Sequence, residues 1–237
     1  MRRFYSPDIS SDAGTFKLGA DESAHASGVL RIRAGDRVSV FDGRGNEYIC
    51  EVVITGKRGT ELKLIAPAEP PAPESPLNFT LAAALLKHDK YDLVVQKAVE
   101  LGVTRLIPAV TARCDIPAKA AAKRISRWQR IVVEASKQCG RAVLMKISEV
   151  VEFGEIAERA EGTKLIFTER GGGGMPVRDG GPVTALVGPE GGWEDDEIEL
   201  ALSKGFTDVT LGGRILRAET AAIAIAALVQ NRFGDLG

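Results

Sequence analysis

Short apolar runs that alternate with polar residues and are interrupted by glycine characterise the first third of the chain. Val38 and Val40 stand on either side of a serine, and Tyr48, Cys50 and Val52 repeat the alternation. The glycine-containing sequence DGRGN separates the two runs, which is typical of a β-hairpin. The pattern therefore predicts a small all-β barrel or sandwich over the first ~70 residues.

A proline-rich segment ends this region. Five prolines lie within ten residues, at positions 67, 70, 71, 73 and 76. Such a run favours extended polyproline geometry and forms a semi-rigid linker. We therefore divide the chain into an N-terminal domain of residues 1–72 and a C-terminal domain of residues 73–237.

Beyond the linker, the apolar pattern alternates between the periods of strands and helices. Helix periodicity covers residues 91–102 and 123–138, and strand-like apolar runs cover residues 78–85, 105–110, 164–168, 183–188 and 207–212. Strands that alternate with helices predict an α/β fold around a parallel sheet of about five strands. The helix expected over 218–233 has too many apolar positions for one-sided burial, which predicts a homodimer.

The helix predicted over 123–138 has one apolar face and one basic face. At 100° per residue, the basic face contains Lys123, Arg127, Arg130 and Lys137. This helix lies in a basic block, since residues 87–146 contain 13 Lys and Arg against 5 Asp and Glu while the whole chain has a formal net charge of −1. Such a block indicates either a polyanionic partner or a solvated helix face.

Composition narrows the class of protein. The 237 residues are 44% hydrophobic and 27% charged, which is ordinary for a soluble globular protein. No apolar run approaches the ~20 residues that cross a bilayer, and no apolar segment follows the basic start as in a secretory signal. The three cysteines and two histidines lack the spacing of a zinc site or a disulfide scaffold. We therefore expect a cytoplasmic protein without a membrane segment or a metal ion.

Three glycine-rich loops follow predicted strands: ERGGGGMP at 169–176, GPEGG at 188–192 and GGRILRAET at 212–220. Ligands of open α/β sheets bind at the carboxyl ends of strands, and glycine lets backbone amides approach them. Tight turns are the alternative role for any one loop. Phosphate-loop motifs are absent, and acidic residues after GPEGG disfavour a phosphate. The loops therefore indicate a ligand without phosphates, such as an adenosyl group with an amino-acid tail.

Six tracts of the chain closely resemble the bacterial small-subunit ribosomal RNA uracil-N3 methyltransferases, the RsmE family of SPOUT methyltransferases. They are RRFY at 2–5, VLRIRAGDRVSVFDG at 29–43, QKAVELGV at 96–103, RWQRIVVEASKQCGR at 127–141, LVGPEGGWEDDEI at 186–198 and LGGRILRAETA at 211–221. The resemblance extends from residue 2 to about residue 230. Met145 stands where this family usually has a proline, which affects a turn more than the chemistry.

The resemblance implies a fold, a cofactor and partners. The fold would combine an N-terminal PUA-like β-barrel that binds RNA with a C-terminal trefoil-knotted α/β methyltransferase domain. The enzyme would be a homodimer that uses S-adenosyl-L-methionine to methylate N3 of one uridine near the 3′ end of 16S ribosomal RNA in the small ribosomal subunit. The same fold acting on another RNA nucleoside, or a non-catalytic RNA-binding assembly factor, are the alternatives.

By motif position, the resemblance also implies which residues bind the cofactor. They are Gly188, Pro189, Glu190, Gly191, Gly192, Leu211, Gly212, Ile215, Leu216 and Thr220. Glu190 would orient the methionine ammonium group or hold the knot. The glycine run 171–174 is longer than is common in the family, and none of its residues is assigned to the cofactor.

Methyl transfer to uracil N3 requires help with the proton on N3 or with the resulting negative charge. Arg217, in the third loop, is the candidate cation, and Glu219 is a candidate base or only a helix cap. For binding the RNA phosphates, the basic candidates are Arg2, Arg3, Arg31, Lys123, Arg127, Arg130 and Arg141.

Overall fold

A computed structural model describes residues 1–56, 59–178 and 180–237, and it divides the chain into two compact units. The N-terminal unit comprises Met1–Glu74 and Ser136–Leu144, and the C-terminal unit comprises Ser75–Ala135 and Met145–Gly237. The N-terminal unit thus contains residues 136–144, which our sequence-based boundaries assign to the second domain.

Within its described residues, the N-terminal unit forms a five-stranded sheet. The strands are β1 (Arg3–Tyr5), β2 (Thr15–Lys17), β3 (Arg37–Phe41), β4 (Glu47–Gly56) and β5 (Gly59–Ala68). Their order is β1-β3-β4-β5-β2, and the antiparallel pairing of β3 with β4 confirms the predicted hairpin. The sequence pattern does not predict helix α1 (Ala20–Ala24) or the π-helical turn His25–Val29, which lie between β2 and β3.

The apolar residues of the alternating runs form the core of this unit. Val38 pairs with Cys50 and Val40 with Tyr48 across the β3–β4 hairpin, and all four side chains belong to one buried cluster with Phe4. Alternate residues of a strand point to the same face, so the alternation places these side chains together. Burial raises the pKa of the Cys50 thiol to about 12, which keeps this cysteine neutral and unreactive.

A buried arginine contributes to the packing of the N-terminal unit. The Arg3 side chain is 8% exposed, and its Nε and Nη2 atoms donate hydrogen bonds of 3.0 and 2.7 Å to the Glu47 carboxylate. Its Nη1 atom donates to the carbonyl oxygen of Ser136 at 2.7 Å, and its guanidinium lies 4.5 Å from the centre of the Phe41 ring. These contacts explain why the segment after residue 135 belongs to this unit.

The prediction that Arg3 and Arg141 contact RNA is therefore wrong. Arg3 is buried against Glu47, and Arg141 is buried in an ion pair with Glu74 at 2.8 Å. A buried and paired guanidinium is not available to an RNA phosphate, so both residues have a structural role. Arg2 and Arg31 are exposed and remain candidates.

The described residues of the C-terminal unit form a parallel sheet. Its strands are β6 (Phe79–Ala84), β7 (Arg105–Val110), β8 (Lys146–Ile147), β9 (Val151–Glu152), β10 (Thr163–Thr168), β11 (Val183–Val187) and β12 (Thr207–Thr210). The order is β12-β10-β11-β6-β7-β8, and β9 pairs with β7. Every pair is parallel, which confirms the predicted α/β fold.

Helices follow most of these strands. They are α2 (Lys90–Glu100), α3 (Ala118–Ala122), α4 (Ile125–Cys139), α5 (Phe153–Arg159), α6 (Asp195–Ser203) and α7 (Ala218–Phe233). Helices α5 and α6 pack on the sheet face that presents Ala82, Ile166 and Leu186, whereas α7 contacts β11 and α2. None of the helices in the described residues is long and apolar enough to cross a membrane.

We predict that replacing Arg3 by methionine destabilises the protein by about 3–5 kcal/mol, because it leaves the buried Glu47 carboxylate without its cation. The exposed neighbour Arg2 is the matched control, and Arg2→Met should change the free energy of unfolding by less than about 0.5 kcal/mol. Urea denaturation followed by circular dichroism measures both. Equal stabilities of the two variants would contradict the structural role of Arg3.

Candidate active site

The carboxyl ends of three neighbouring strands form one edge of the parallel sheet. Phe167 of β10 lies opposite Val187 of β11 and Val209 of β12, so the loops that follow these strands leave the sheet at the same edge. A cavity of about 410 Å³ lies there. Its volume falls in the range of small-molecule sites, which supports the predicted position of the ligand.

Most of the predicted cofactor residues lie around this cavity. The described residues that line it include Gly188, Pro189, Glu190, Gly192, Leu211, Gly212, Ile215 and Leu216, all of which the sequence predicts. The candidate catalytic residue Arg217 also lines it. Lining residues that the sequence does not predict are Lys90, Phe167, Thr168, Glu169, Val187, Trp193, Arg214, Ala218, Ala221 and Ile225. Gly191, Thr220 and Glu219 are not among the described lining residues.

Gly191 faces a supporting arginine. A Cβ atom at Gly191 would lie 3.1 Å from the Cβ of Arg113, and Arg113 Nη1 donates a hydrogen bond of 3.0 Å to the Gly191 carbonyl oxygen. Gly192 lines the cavity instead, and its φ of +72° is a conformation that other residues rarely adopt. We therefore expect the close approach of backbone to a ligand at Gly192 rather than at Gly191.

Arg113 fixes the position of the GPEGG loop through the residues that follow it. Its Nε and Nη2 atoms donate hydrogen bonds of 2.7 and 3.0 Å to the Glu194 carboxylate. The hydrogen bond from Arg113 lowers the pKa of Glu194, and the same bond raises the pKa of Arg113. Glu197 adds a second tie, because its carboxylate accepts the Ala112 and Glu194 N–H groups at 2.9 and 3.0 Å.

Trp193 supports the same loop from the sheet side. Its Nε1 atom donates a hydrogen bond of 2.9 Å to the Phe167 carbonyl oxygen, and its ring packs on Phe153 with centroids 5.2 Å apart. A Cβ atom at Gly188 would lie only 3.0 Å from Trp193 Nε1. Glycine at 188 thus leaves room for the tryptophan that holds the loop against β10.

The glycine run of the first loop packs against β12. The N–H of Gly172 donates to Thr210 Oγ1, and the N–H of Gly173 donates to the Asp208 carbonyl oxygen, each at 3.0 Å. A Cβ atom at Gly172 would lie 2.7 Å from the Val209 carbonyl carbon, so only glycine fits there. In the described part of the chain the run does not line the cavity, and the residues just before it, Thr168 and Glu169, do.

The third loop places Arg217 in the cavity lining, whereas Glu219 is not among the described lining residues. Arg217 is exposed and immediately precedes α7. Glu219 Oε2 is buried, has no hydrogen-bond partner among the described residues, and lies 3.9 Å from Lys90 Nζ. Lys90 Nζ also contacts the Glu190 carboxylate. A lysine in the first turn of a helix opposes the helix dipole, and this is the sequence signal by which Lys90 could have been found.

The basic face of α4 is only partly open to solvent. Lys123, Arg127 and Arg130 are exposed, although Arg127 Nε also donates to Asp92 Oδ2 at 2.7 Å. The Lys137 side chain is 9% exposed and pairs with Glu22 at 2.9 Å within the N-terminal unit. The predicted phosphate-binding face therefore ends before Lys137.

The described residues contain no group of three His, Cys, Asp or Glu side chains that could hold a metal ion.

Comparison with known families agrees with this architecture. Residues 73–230 match the family described as the RNA methyltransferase domain, and residues 18–65 match the RNA methyltransferase PUA domain. The first match covers the whole parallel sheet and the cavity, and the second covers most of the N-terminal sheet. The fold and the site thus define the class of RNA methyltransferases.

Individual relatives narrow this class. The ribosomal RNA small subunit methyltransferase E of Synechocystis sp. is 35% identical over 84% of this chain and 67% of its own length. The Rickettsia conorii protein of the same name is 30% identical over 96% of this chain and 94% of its own length. The chain therefore belongs to the ribosomal RNA small subunit methyltransferase E family, which confirms the resemblance to the RsmE family.

Solved structures support the same conclusion. The crystal structure of a ribosomal RNA small subunit methyltransferase E from Neisseria gonorrhoeae bound to S-adenosyl methionine has a TM-score of 0.93 and 36% identity, and the match covers 100% of both chains. A structure from Legionella pneumophila with the bound cofactor SAM also has a TM-score of 0.93, with 32% identity over 99% of each chain. The similarity over the full chain confirms the PUA-like domain followed by the α/β domain.

We predict that Arg113→Ala loosens the GPEGG loop, because it removes the hydrogen bonds to Gly191 and Glu194. Amide hydrogen exchange at residues 188–194 should become several-fold faster than in the wild type. Lys87→Ala is the control, since it removes an ion pair with Asp115 that is also solvent-exposed. Unchanged exchange in Arg113→Ala would show that the loop is held without this arginine.

The same variant should alter the dependence of stability on pH. Because Arg113 lowers the pKa of Glu194, the stabilisation is present above the ordinary pKa of a glutamate and is lost as pH falls through the lowered value. The difference in unfolding free energy between wild type and Arg113→Ala should therefore shrink below about pH 4. A difference that persists at lower pH would mean that the ion pair is not its source.

Proposed function

We propose that this chain binds S-adenosylmethionine in the cavity at the strand ends. The observation that carries the proposal is that residues of both the GPEGG loop and the GGRILRAET loop line this cavity. Two relatives with more than 30% identity have structures that contain this cofactor.

The residues present fit the chemistry of this cofactor. Leu211, Ile215 and Leu216 offer apolar surface for an adenine ring, and Ile215 is 61% exposed. The backbone at Gly188 and Gly192 is open to the cavity, as a closely approaching ligand requires. Glu190 supplies a carboxylate for the cationic amino group of the amino-acid tail.

We further propose that the enzyme methylates N3 of a uridine in the small-subunit ribosomal RNA. When bound, the cofactor supplies a methyl group activated by a sulfonium. The protein must stabilise the negative charge that appears on uracil as N3 loses its proton. Arg217 suits this role, because it lines the cavity, is exposed, and forms no ion pair with any residue in the described ranges. Glu219 does not suit the role of base, because it is not among the described residues that line the cavity. Its carboxylate lies near the Lys90 ammonium instead.

The RNA and a second subunit would use other surfaces. We propose that Lys123, Arg127 and Arg130 bind phosphates, with Arg2 and Arg31 of the N-terminal unit as further contacts. A homodimer is supported by Leu93 of α2 and Leu228 of α7, two exposed leucines on helices that contact each other. Light scattering at micromolar protein would detect the dimer. The trefoil knot and the cytoplasmic location stay predictions.

The proposed activity is tested by incubating the protein with S-adenosylmethionine and small-subunit RNA, followed by mass spectrometry of the nucleosides. We expect a single 3-methyluridine per RNA. Small-subunit RNA from cells that lack the protein should be the better substrate, since its target is unmodified. A methyl group on another base would overturn the N3 assignment and keep the cofactor assignment.

Gly192→Val should weaken binding of S-adenosylmethionine by at least about 100-fold, about 2.7 kcal/mol, because it places a branched side chain where backbone faces the ligand. Gly205→Val is the matched control, because Gly205 also has a positive φ, of +82°, but follows α6 outside the cavity lining. Calorimetry measures both affinities. Equal affinities in folded Gly192→Val and Gly205→Val would remove the pocket assignment.

Arg217→Ala should lower turnover by about 100-fold or more, about 3 kcal/mol of barrier, while cofactor affinity changes little. Higher pH should restore part of the rate, because hydroxide then supplies the uracil anion. Arg217→Lys should recover part of the activity, since an ammonium lacks the planar fork of a guanidinium. Arg214, a second exposed arginine of the cavity lining, is the comparison. A larger loss in Arg214→Ala would assign the cation to that residue.

Replacing Lys123 and Arg130 by alanine should weaken RNA binding and lower the slope of log affinity against log salt by roughly 0.7–0.9 per lost contact. Cofactor affinity should not change. The control neutralises Arg159 and Lys204, which pair with Glu155 and Glu158 away from α4. The same slope in both double variants would make the α4 face an ordinary solvated surface.

A further inference from the structure

Lys90 connects the two loops that enclose the cavity. It is the first residue of α2, outside every glycine-rich motif, and its side chain is 34% exposed. Its ammonium contacts the carboxylate of Glu190 in the GPEGG loop and lies 3.9 Å from Oε2 of Glu219 in the first turn of α7. One cation thus lies between two carboxylates from separate loops.

The two carboxylates differ in their hydrogen-bond partners. Glu190 has a direct contact with Lys90, whereas Glu219 Oε2 is buried and has no hydrogen-bond partner among the described residues. A distance of 3.9 Å is too long for a hydrogen bond, and a buried acceptor without a donor is unfavourable because it has lost its hydration. An ammonium has three donors, so Lys90 can satisfy Glu219 by moving about 1 Å toward it.

We propose that Lys90 is a positioning residue that changes partner when the cofactor binds. In the structure its ammonium contacts the Glu190 carboxylate. A ligand with a cationic amino group takes over Glu190, and the Lys90 ammonium then donates to Glu219 Oε2. This inference rests on the proposed binding of S-adenosylmethionine, whose amino-acid tail provides such a group.

The exchange would link cofactor binding to the proposed catalytic cation. Arg217 lies two residues before Glu219, at the start of the same helix. A new bond from Lys90 to Glu219 would fix the first turn of α7 and, with it, the backbone that carries Arg217. Arg217 would therefore be held in place only when the methyl donor is present.

Double-mutant cycles between Lys90→Met, Glu190→Gln and Glu219→Gln test this exchange. Urea unfolding without ligand measures how strongly each pair of these residues is coupled in the free energy of unfolding. Calorimetry with S-adenosylmethionine measures how strongly the same pairs are coupled in the free energy of cofactor binding. We expect Lys90 to couple with Glu190 in the ligand-free protein. In affinity, Lys90→Met should weaken binding about fivefold or more in the wild-type background. It should not weaken binding in the Glu219→Gln background, where the ammonium has no second carboxylate to gain and only its competition for Glu190 is removed. Lys90→Arg should keep most of the affinity.

The matched control is Lys97→Met. Lys97 lies on the same helix, is 35% exposed, and pairs with Glu100 away from the cavity, so its loss should leave the affinity unchanged. Independent effects of Lys90→Met and Glu219→Gln on affinity would overturn the exchange, as would equal effects of Lys90→Met and Lys97→Met. Failure of the wild-type protein to bind S-adenosylmethionine would overturn the proposed function itself, and this result is obtained before any variant is made.

Discussion

The site depends on the parallel alignment of β10, β11 and β12. In an antiparallel arrangement, the loops that follow these strands would leave opposite edges of the sheet, and no common cavity would form. The alignment is fixed by burial, because Leu165, Ile166 and Leu186 are fully enclosed. The adjacent Leu165 and Ile166 point to opposite faces and both are buried, so a shift of one residue would exchange side chains between two packed faces and disrupt the packing of each. The hydrophobic core thus determines where three distant loops meet.

The loops themselves contribute little that could keep them in place. Glycine at 188 and 192 gives backbone access but also conformational freedom, which costs free energy when the loop is ordered. Side chains beyond these glycines offset this cost: Arg113 donates to the Gly191 carbonyl oxygen, and Trp193 anchors the end of the loop to β10. The cavity surface and its support are therefore made largely by different residues, and the supporting Arg113 lies outside the recognised tracts.

This division explains what could be predicted from the sequence. Periodicity located five of the seven described strands of the C-terminal unit, and their alternation with helices predicted a parallel sheet with loops that meet at one edge. The individual cofactor residues came from the resemblance to the RsmE family, and about half of the cavity lining was not predicted. Adjacent residues such as Arg2 and Arg3 have the same chemistry, and only the distant Glu47 determines that one of them is buried. Helical periodicity likewise placed Lys137 on the basic face correctly by angle, but its partner Glu22 lies 115 positions away. Long-range pairing of this kind leaves no local pattern.

The basic residues therefore serve two purposes that charge alone does not separate. A buried ion pair, such as those of Arg3 and Arg141, is costly to break, by about 3–5 kcal/mol, whereas an exposed pair contributes about 0–1 kcal/mol. Cations of the first kind stabilise the fold and offer nothing to a polyanion. Exposed cations, such as Lys123 and Arg130, add little stability and keep their charge available to phosphates. Burial, rather than the local excess of positive charge, thus separates the basic residues that stabilise the fold from those whose charge is available to the proposed RNA partner.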